Sequence, residues 1–211
     1  MLPTKEEMDA ALCLRHGKQF QEKISSAAVA VCGLGGLGSN IAICLARAGV
    51  GKLTLIDFDR VDITNLHRQQ YKAAQVGQYK AEALMQNLKE IAPYVQLCAH
   101  TVKITEENFR VLLCGSDIIC EAFDNAEAKA MLTNCVLTEM PGTYLVAASG
   151  MAGLGPANTI RTKRVTNRFY LCGDGASDVA TETSLVSSRV MLCAAHQAHA
   201  VLRMIAGQYE V

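Results

Sequence analysis

The stretch AVAVCGLGGLGSN at residues 28–40 decides the fold class. Its apolar run, AVAVCG at 28–33, ends in glycine and is typical of a parallel strand buried on both faces. The glycines of GLGGLG at 33–38 permit a tight turn and a close approach of the backbone to phosphate, and the helix that follows offers free N–H groups. This order predicts a nucleotide site; the alternative is glycines that serve only helix–strand packing.

Outward from this stretch, apolar strands alternate with amphipathic helices along the first two thirds of the chain. This alternation predicts an α/β fold: a Rossmann-like, doubly wound, mostly parallel sheet. The predicted strands are 28–33, 52–57, 95–100, 117–122 and 143–149, and the predicted helices are 5–23, 36–49, 78–92, 105–113 (capped by Thr105) and 126–139.

The final third has a different pattern. Two polar segments, 159–165 and 168–172, predict a hairpin, and a loop rich in Gly, Asp, Ser and Thr follows at 173–184. A long amphipathic helix is expected over 185–206, so the sheet carries a C-terminal hairpin and helix. With no internal repeat or linker, we expect one domain over 1–211, with an N-terminal helical arm at 1–25 and a divergent, substrate-facing segment at 151–185.

Composition narrows the class of protein. The 211 residues include 20 basic and 20 acidic side chains, and no long run of one sign indicates binding to nucleic acid or to a membrane surface. The 9 cysteines lie mostly in core-like segments without a C-x-x-C pair, which favours a reduced, cytoplasmic chain. Neither a signal peptide nor an apolar run of membrane-spanning length is recognisable.

Polar residues after the second strand indicate which nucleotide is bound. Asp57 ends that strand about 20 residues beyond the glycines, where a carboxylate can accept hydrogen bonds from ribose hydroxyls. This pair of features alone would equally suit NAD. A triphosphate carries more charge than a dinucleotide pyrophosphate, and basic side chains stabilise that charge. Each basic residue alone could be a solvated surface charge. As a group, however, the residues after Asp57 favour ATP: Asn65, Arg68, Gln69 and Lys80.

Asp124 and Asn125 lie just beyond the fourth predicted strand. Ligands of open parallel sheets bind outside the carboxyl ends of strands. Because Mg²⁺ prefers one or two carboxylates together with phosphate oxygens, Asp124 is a candidate metal ligand. The alternative interpretation is that Asp124 caps the helix that follows.

These segments together resemble the E1-like superfamily, which includes ThiF, MoeB and the ubiquitin-activating enzymes. The matching motifs are GLGGLGSN, LIDFDRVDITNLHRQQY, VGQYKAEAL and EAFDNAEAK, in this order over roughly residues 15–150. The short chain and its RHGKQFQEKI opening are most similar to compact ThiF-like proteins, the sulfur carrier protein adenylyltransferases.

The resemblance implies a role for each matching residue. The nucleotide would be lined by Gly33, Gly35 and Gly36, the ribose bound by Asp57 with Asp59 beside it, and the phosphates contacted by Asn65, Arg68, Gln69 and Lys80. Asp124, with Asn125 beside it, would hold Mg²⁺. Arg15 corresponds to an N-terminal arginine that reaches the ATP of the partner subunit, although the segment around it is shorter than in MoeB-like relatives. The catalytic set would be Arg15, Arg68, Lys80 and Asp124, in a homodimer.

The implied reaction is ATP-dependent adenylation of the C-terminal glycine carboxylate of a small ubiquitin-like sulfur carrier ending in Gly-Gly. A ThiS-like carrier and thiamine biosynthesis are the expectation. The same ATP site would serve another carrier, a peptide or a tRNA nucleoside. From the residues, an NAD-dependent oxidoreductase remains an alternative, as does a fold that has lost its chemistry.

Two departures from longer family members bear on metal and thiol chemistry. Those members carry two C-x-x-C pairs for a structural zinc, and this sequence has none, so no structural zinc is expected. Cys193, His196 and His199 share one helix, where a packed face explains them more simply than a metal site. Cys172 precedes the polar loop and is either a nucleophile acting after adenylation or an ordinary cysteine at a strand end.

Overall fold

A computed structural model describes residues 2–182 and 184–211. The strands in these residues are Ala28–Cys32 (β1), Lys52–Ile56 (β2), Gln96–His100 (β3), Ile118–Glu121 (β4), Tyr144–Ala148 (β5), Arg161–Arg164 (β6) and Phe169–Gly173 (β7). The α-helices are Lys5–His16 (α1), Lys18–Ser26 (α2), Gly36–Ala48 (α3), Lys80–Ile91 (α4), Phe109–Leu112 (α5), Ala126–Glu139 (α6) and Ser187–Ala206 (α7).

The seven strands form one sheet in the order β3-β2-β1-β4-β5-β7-β6. Every neighbouring pair is parallel except β6 and β7, which form an antiparallel hairpin at one edge. The chain leaves β1 towards β2 and β3 on one side and later adds β4 and β5 on the other. The strand order therefore reverses between β1 and β4, the position at which doubly wound folds bind ligands. The Rossmann-like prediction is confirmed, including the C-terminal hairpin and helix.

Alternating strand side chains build a core on each face of the sheet, because successive residues of a strand point to opposite faces. Val29 and Val31 of β1 pack with α3, α4 and α7, whereas Ala30 and Cys32 pack with α5 and α6. The central strand β1 is consequently apolar throughout, which explains its continuous apolar run in the sequence. Within the described residues, no helix is long and apolar enough to cross a membrane.

Two predicted helices differ from the structure. The single helix expected over 5–23 is two helices, α1 and α2, because Gly17 adopts φ 82° and ψ 143° between them. Only glycine adopts that conformation readily, so the chain turns there. The helix expected over 105–113 with Thr105 as its cap is the single turn Phe109–Leu112, and Asn108 holds the N-cap position. The predicted loop at 173–184 includes Thr183, which lies outside the described residues.

Candidate functional site

The glycine loop between β1 and α3 lies at the carboxyl end of β1, beside the end of β4. Gly33 adopts φ +86°, and a Cβ atom on it would lie 2.8 Å from the carbonyl oxygen of Ala122. A Cβ atom on Gly38 would lie 1.8 Å from the carbonyl oxygen of Gly33, so the first turn of α3 folds directly onto the loop. The N-cap residue of α3 is Gly35, which has no side chain with which to cap the helix. The first N–H groups of a helix have no intrahelical partner, so this end can receive an anion.

Asp57 holds the glycine loop in place. It follows β2, is 7 % exposed, and its Oδ2 accepts a 2.6 Å hydrogen bond from the backbone N–H of Leu34. Its Oδ1 accepts a 2.8 Å hydrogen bond from the N–H of Asp59. Burial raises the pKa of Asp57, and the charge of Lys80 and the hydrogen bonds from Asp59 and Leu34 oppose that rise. Each carboxylate oxygen keeps a second lone pair, which leaves room for a ribose hydroxyl to donate.

Lys80 and Asp59 form an ion pair beside Asp57. The Lys80 Nζ lies 3.0 Å from Asp59 Oδ2, and the Lys80 side chain is 7 % exposed whereas that of Asp59 is 48 % exposed. A backbone hydrogen bond from Lys80 N–H to Asp59 C=O, 2.9 Å long, joins the start of α4 to the same loop. Buried charged groups are stabilised by pairing with an opposite charge. The polar network expected around Asp57 and Asp59 is therefore present, with Lys80 as its cation.

The segment 65–70 is tied to the first turn of α3. Asn40 of α3 donates from Nδ2 to the carbonyl oxygens of Gly36, at 2.6 Å, and Arg68, at 3.3 Å. The Gln70 Nε2 donates to Asn40 Oδ1 at 2.7 Å. Arg68 itself donates from Nη2 to Asn65 Oδ1 at 2.9 Å. These bonds bring the basic segment that follows β2 against the helix end that would receive phosphate.

Arg68 lies between the glycine loop and Asp124. A Cβ atom on Gly36 would lie 3.4 Å from Arg68 Cγ. Burial lowers the pKa of Arg68 from its ordinary value, and the carboxylate of Asp124 opposes this shift, so the two charges are neighbours. Arginine remains protonated at any physiological pH. The Arg68 side chain therefore lies beside the start of α3 and within electrostatic range of Asp124.

Gln69 carries an orphaned acceptor at this site. The residue is 7 % exposed, and its Oε1 is one of the buried side-chain atoms without a partner among the described residues. Its Nε2 lies 3.6 Å from the position of a Cβ atom on Gly35, so the side chain lies against the glycine loop. An unpaired buried acceptor is costly, and a ligand hydroxyl or amine at the loop would satisfy it.

Asp124 and Asn125 divide two roles between them. Asn125 is the N-cap of α6, with its Oδ1 accepting from the N–H of Ala128 at 2.9 Å. The alternative interpretation, in which Asp124 caps that helix, is therefore wrong. Asp124 is exposed just beyond the end of β4. Its carboxylate suits a hard cation that also binds phosphate oxygens. Among the described residues, no three His, Cys, Asp or Glu side chains gather as a ready-made metal site.

Arg15 is the one candidate that the fold does not bring to this cluster within one chain. It is exposed on α1, whose Leu12 lies against Gly49 at the C-terminal end of α3. Helix α3 has 13 residues, so its ends are about 20 Å apart, and the glycine loop is at the other end. The assignment of Arg15 to a partner's ATP stays a prediction.

Two buried ion pairs near the site were not foreseen from the sequence. Glu121, the last residue of β4, pairs with Lys129 of α6, and Asp174 after β7 pairs with Arg189 of α7. Glu121 could have been noticed, since a carboxylate ends an otherwise apolar strand. The second pair connects the divergent segment 151–185 to α7. Sequence periodicity carries no information about such long-range contacts.

The cysteine and histidine residues of the C-terminal part were candidates for thiol or metal chemistry. Cys172 is fully buried, and burial raises its pKa to about 11, which disfavours the reactive thiolate. The interpretation as an ordinary cysteine at a strand end is thus favoured. In α7, Cys193 belongs to the core, His196 Nδ1 lies 3.0 Å from Thr162 Oγ1, and His199 is exposed. Cys193 and His196 therefore lie on the packed helix face that the sequence indicated, whereas His199 does not.

Known proteins are similar to this chain in sequence and in fold. The model of the ThiF family matches residues 9–211. The sulfur carrier protein adenylyltransferase of Thermus thermophilus is 34 % identical over 64 % of this chain and 51 % of its own length. The molybdopterin-synthase adenylyltransferase of Salmonella typhimurium is 33 % identical over 72 % of this chain and 60 % of its own. The adenylyltransferase and sulfurtransferase MOCS3 of Caenorhabditis briggsae is 36 % identical over 64 % of this chain, but this covers only 33 % of its length.

A solved structure extends the likeness over the whole chain. The tRNA N6-threonylcarbamoyladenosine dehydratase TcdA of E. coli, in complex with AMP, has a TM-score of 0.85, covering 99 % of this chain and 98 % of its own. At 20 % identity this shows the fold alone. The sheet, the glycine loop and the polar cluster at its carboxyl edge define a Rossmann-like protein with a candidate nucleotide site. The chain belongs to the ThiF family.

Proposed function

We propose that this protein is an ATP-dependent adenylyltransferase that activates the C-terminal glycine carboxylate of a small ubiquitin-like sulfur carrier. The observation that carries the proposal is the convergence of Asp57, Arg68, Lys80 and Asp124 on one glycine loop. The relatives named as adenylyltransferases support it, although the chain spans only 33 %, 51 % and 60 % of the length of the three described above.

Each side chain takes a role that its surroundings allow. Asp57 accepts from the ribose, and Gln69 Oε1 gains a hydrogen-bond donor from the bound nucleotide. The free N–H groups at the start of α3 meet phosphate. Arg68 and Lys80 stabilise the charge that develops on the leaving pyrophosphate. The amide of Asn65 holds the Arg68 guanidinium 2.9 Å away, so this cation is already oriented before ATP arrives.

Mg²⁺ fits this site through Asp124, because one exposed carboxylate beside a phosphate site is the ligand set that this cation uses. When bound, it would neutralise charge on the phosphate oxygens. The reaction itself needs no general base, since the carrier's carboxylate is ionised at pH 7. A carboxylate oxygen forms a bond to the α-phosphorus of ATP, the bond from that phosphorus to the bridging oxygen breaks, and pyrophosphate leaves with the electron pair.

We further propose that residues 1–211 form one adenylation domain that works as a homodimer, with the segment 151–185 facing the carrier. Two contacts support this placement of the segment. His67 Nε2 lies 3.1 Å from the carbonyl oxygen of Leu185, next to Arg68. A Cβ atom on Gly36 would lie 2.8 Å from Cγ1 of Val190, so the start of α7 also adjoins the nucleotide loop.

The test is ATP–pyrophosphate exchange with a panel of candidate substrates. We expect exchange with a ThiS-like carrier, which would assign the protein to thiamine-type sulfur chemistry, and none with the same carrier lacking its final glycine. Exchange with a MoaD-like carrier, a peptide or a tRNA nucleoside instead would keep the ATP site and replace the substrate. Binding of NAD without binding of ATP would contradict the proposal.

A further inference from the structure

Glu121 and Lys129 form a charged pair at the carboxyl end of β4, three residues before Asp124. The Glu121 side chain is 1 % exposed, and that of Lys129 is 25 % exposed. The Lys129 Nζ lies 2.9 Å from both carboxylate oxygens. Two apolar residues could fill such a place with equal or greater stability, so a buried ion pair invites a reason other than stability.

The Glu121 carboxylate also holds the turn that carries Asp124. Its Oε1 accepts a 2.7 Å hydrogen bond from the backbone N–H of Phe123. The carbonyl oxygen of Glu121 accepts from Gln197 Nε2 at 3.1 Å, which fixes the strand end itself. On the other side of the turn, Asn125 caps α6 through its bond from Ala128 N–H. The backbone on both sides of Asp124 is thereby fixed.

Asp124 depends on these neighbours, because its own side chain is exposed and makes no hydrogen bond within the described residues. The same turn forms one wall of the glycine loop, since the carbonyl oxygen of Ala122 lies 2.8 Å from the position of a Cβ atom on Gly33. A displaced turn would therefore move both the carboxylate and the wall of the nucleotide site.

We propose that Glu121 is a positioning residue that orients Asp124 towards the metal of bound ATP by accepting the N–H of Phe123, and that Lys129 serves only to neutralise the buried charge of Glu121. The inference rests on the proposed function. An apolar pair would fill the same volume, but it would offer no acceptor to Phe123.

Two double variants separate the acceptor from the charge. E121Q/K129M removes both charges and keeps a side-chain oxygen for Phe123, whereas E121L/K129M removes the charges and the oxygen. The readout is the dissociation constant of the Mn²⁺–ATP complex from the protein, with Mn²⁺ as a paramagnetic substitute for Mg²⁺, measured by electron paramagnetic resonance at equal concentrations of Mn²⁺ and ATP. We expect E121L/K129M to weaken Mn²⁺ binding about tenfold or more and E121Q/K129M to stay within about threefold of the wild type.

Metal-free ATP binding and urea unfolding are measured on the same proteins. A matched control is E139Q, because Glu139 is also a residue of α6 and forms an exposed ion pair with Arg110 of α5. This substitution should leave Mn²⁺ binding unchanged. If E121L/K129M does not fold, Glu121→Met alone removes the same acceptor and leaves the partly exposed Lys129 to reach solvent, with the same loss expected.

Unchanged Mn²⁺ affinity in a folded acceptor-free variant would overturn the inference, as would an equal loss in both double variants. Failure of the proposed function gives a different result: the wild type would not bind Mn²⁺ with ATP, or Asp124→Asn would bind it as tightly as the wild type. If Asp124→Asn weakens Mn²⁺ binding while E121L/K129M does not, the metal site stands and the role of Glu121 is refuted.

Discussion

Asp124 is exposed beside the Arg68 guanidinium. Because it is exposed, its carboxylate can be changed without disturbing the core. We expect Asp124→Asn to lower carrier-dependent pyrophosphate exchange about 100-fold, because the amide keeps the shape but loses the charge that a hard cation requires. The free energy of unfolding should change by less than about 0.5 kcal/mol.

The matched control for this substitution is Glu127→Gln, which removes an exposed carboxylate three residues away in the first turn of α6. Exchange should stay near the wild-type rate there. Equal losses in the two variants would mean that general electrostatics, and not a metal ligand, account for the effect of Asp124.

Asp174 provides a pH-dependent prediction at the same scale. Burial alone would raise its pKa, but hydrogen bonds from Ser177, Ala176 and Arg189 outweigh burial and lower the pKa to about 2. A carboxyl whose pKa falls on folding stabilises the protein fully above its unfolded pKa, and this contribution is lost as the pH falls towards the folded value. The window is therefore from about pH 4 down to pH 2.

We expect Asp174→Asn to lower the free energy of unfolding at pH 7 by about 3 kcal/mol, because Arg189, 5 % exposed on its side chain, loses its charged partner. Urea unfolding across that pH window should show a shallower loss of stability in the variant. A variant whose pH dependence parallels that of the wild type would refute the ion pair as its source.

Among the elements, the β1–α3 loop requires glycine for two separable reasons at Gly33. A side chain there would adopt an unfavourable positive φ and would also contact the carbonyl oxygen of Ala122 at 2.8 Å. Gly115 has a similar φ of +75°, but nothing lies within 4 Å of its Cβ position. Substituting alanine at Gly115 should cost about 1 kcal/mol, whereas Gly33→Ala should cost about 3 kcal/mol and weaken ATP binding.

Urea unfolding and ATP titration of the two alanine variants check this comparison. Both variants carry the same change of residue at a similar backbone conformation. The difference between their losses of unfolding free energy is therefore the cost of the contact with Ala122. Equal losses of stability would show that the close approach of the loop to β4 is relieved by a small shift.

The elements were predictable where the pattern is local. Apolar runs placed the ends of strands β1 to β5 within one residue. Asp57, Arg68, Lys80 and Asp124 follow strands whose carboxyl ends meet at one edge. The break at Gly17 was missed because the amphipathic pattern continues across it. The pairs Glu121–Lys129 and Asp174–Arg189 were missed because they depend on how α6 and α7 pack against strand ends, which no period in the sequence encodes.

At the scale of the whole molecule, the fold leaves Arg15 at the end of α3 that is remote from the glycine loop. In the homodimer proposed above, an arginine so placed would act at the site of the other copy, as arginines supplied in trans do in phosphoryl transfer. We expect Arg15→Ala to lower pyrophosphate exchange about tenfold or more with unchanged stability, because the residue is exposed.

Co-expression of Arg15→Ala with Asp124→Asn distinguishes the two arrangements. In a mixed dimer, the subunit carrying Arg15→Ala keeps its own Asp124 and receives Arg15 from the other subunit, so one complete site forms. Random pairing would restore about a quarter of wild-type activity, since half of the dimers are mixed and each has one complete site. If Arg15 acts within its own chain, every site lacks one of the two residues and mixing restores nothing. Different affinity tags on the two variants allow the mixed dimers to be isolated and assayed directly. A lack of restoration in the isolated mixed dimers would show that Arg15 does not act in trans.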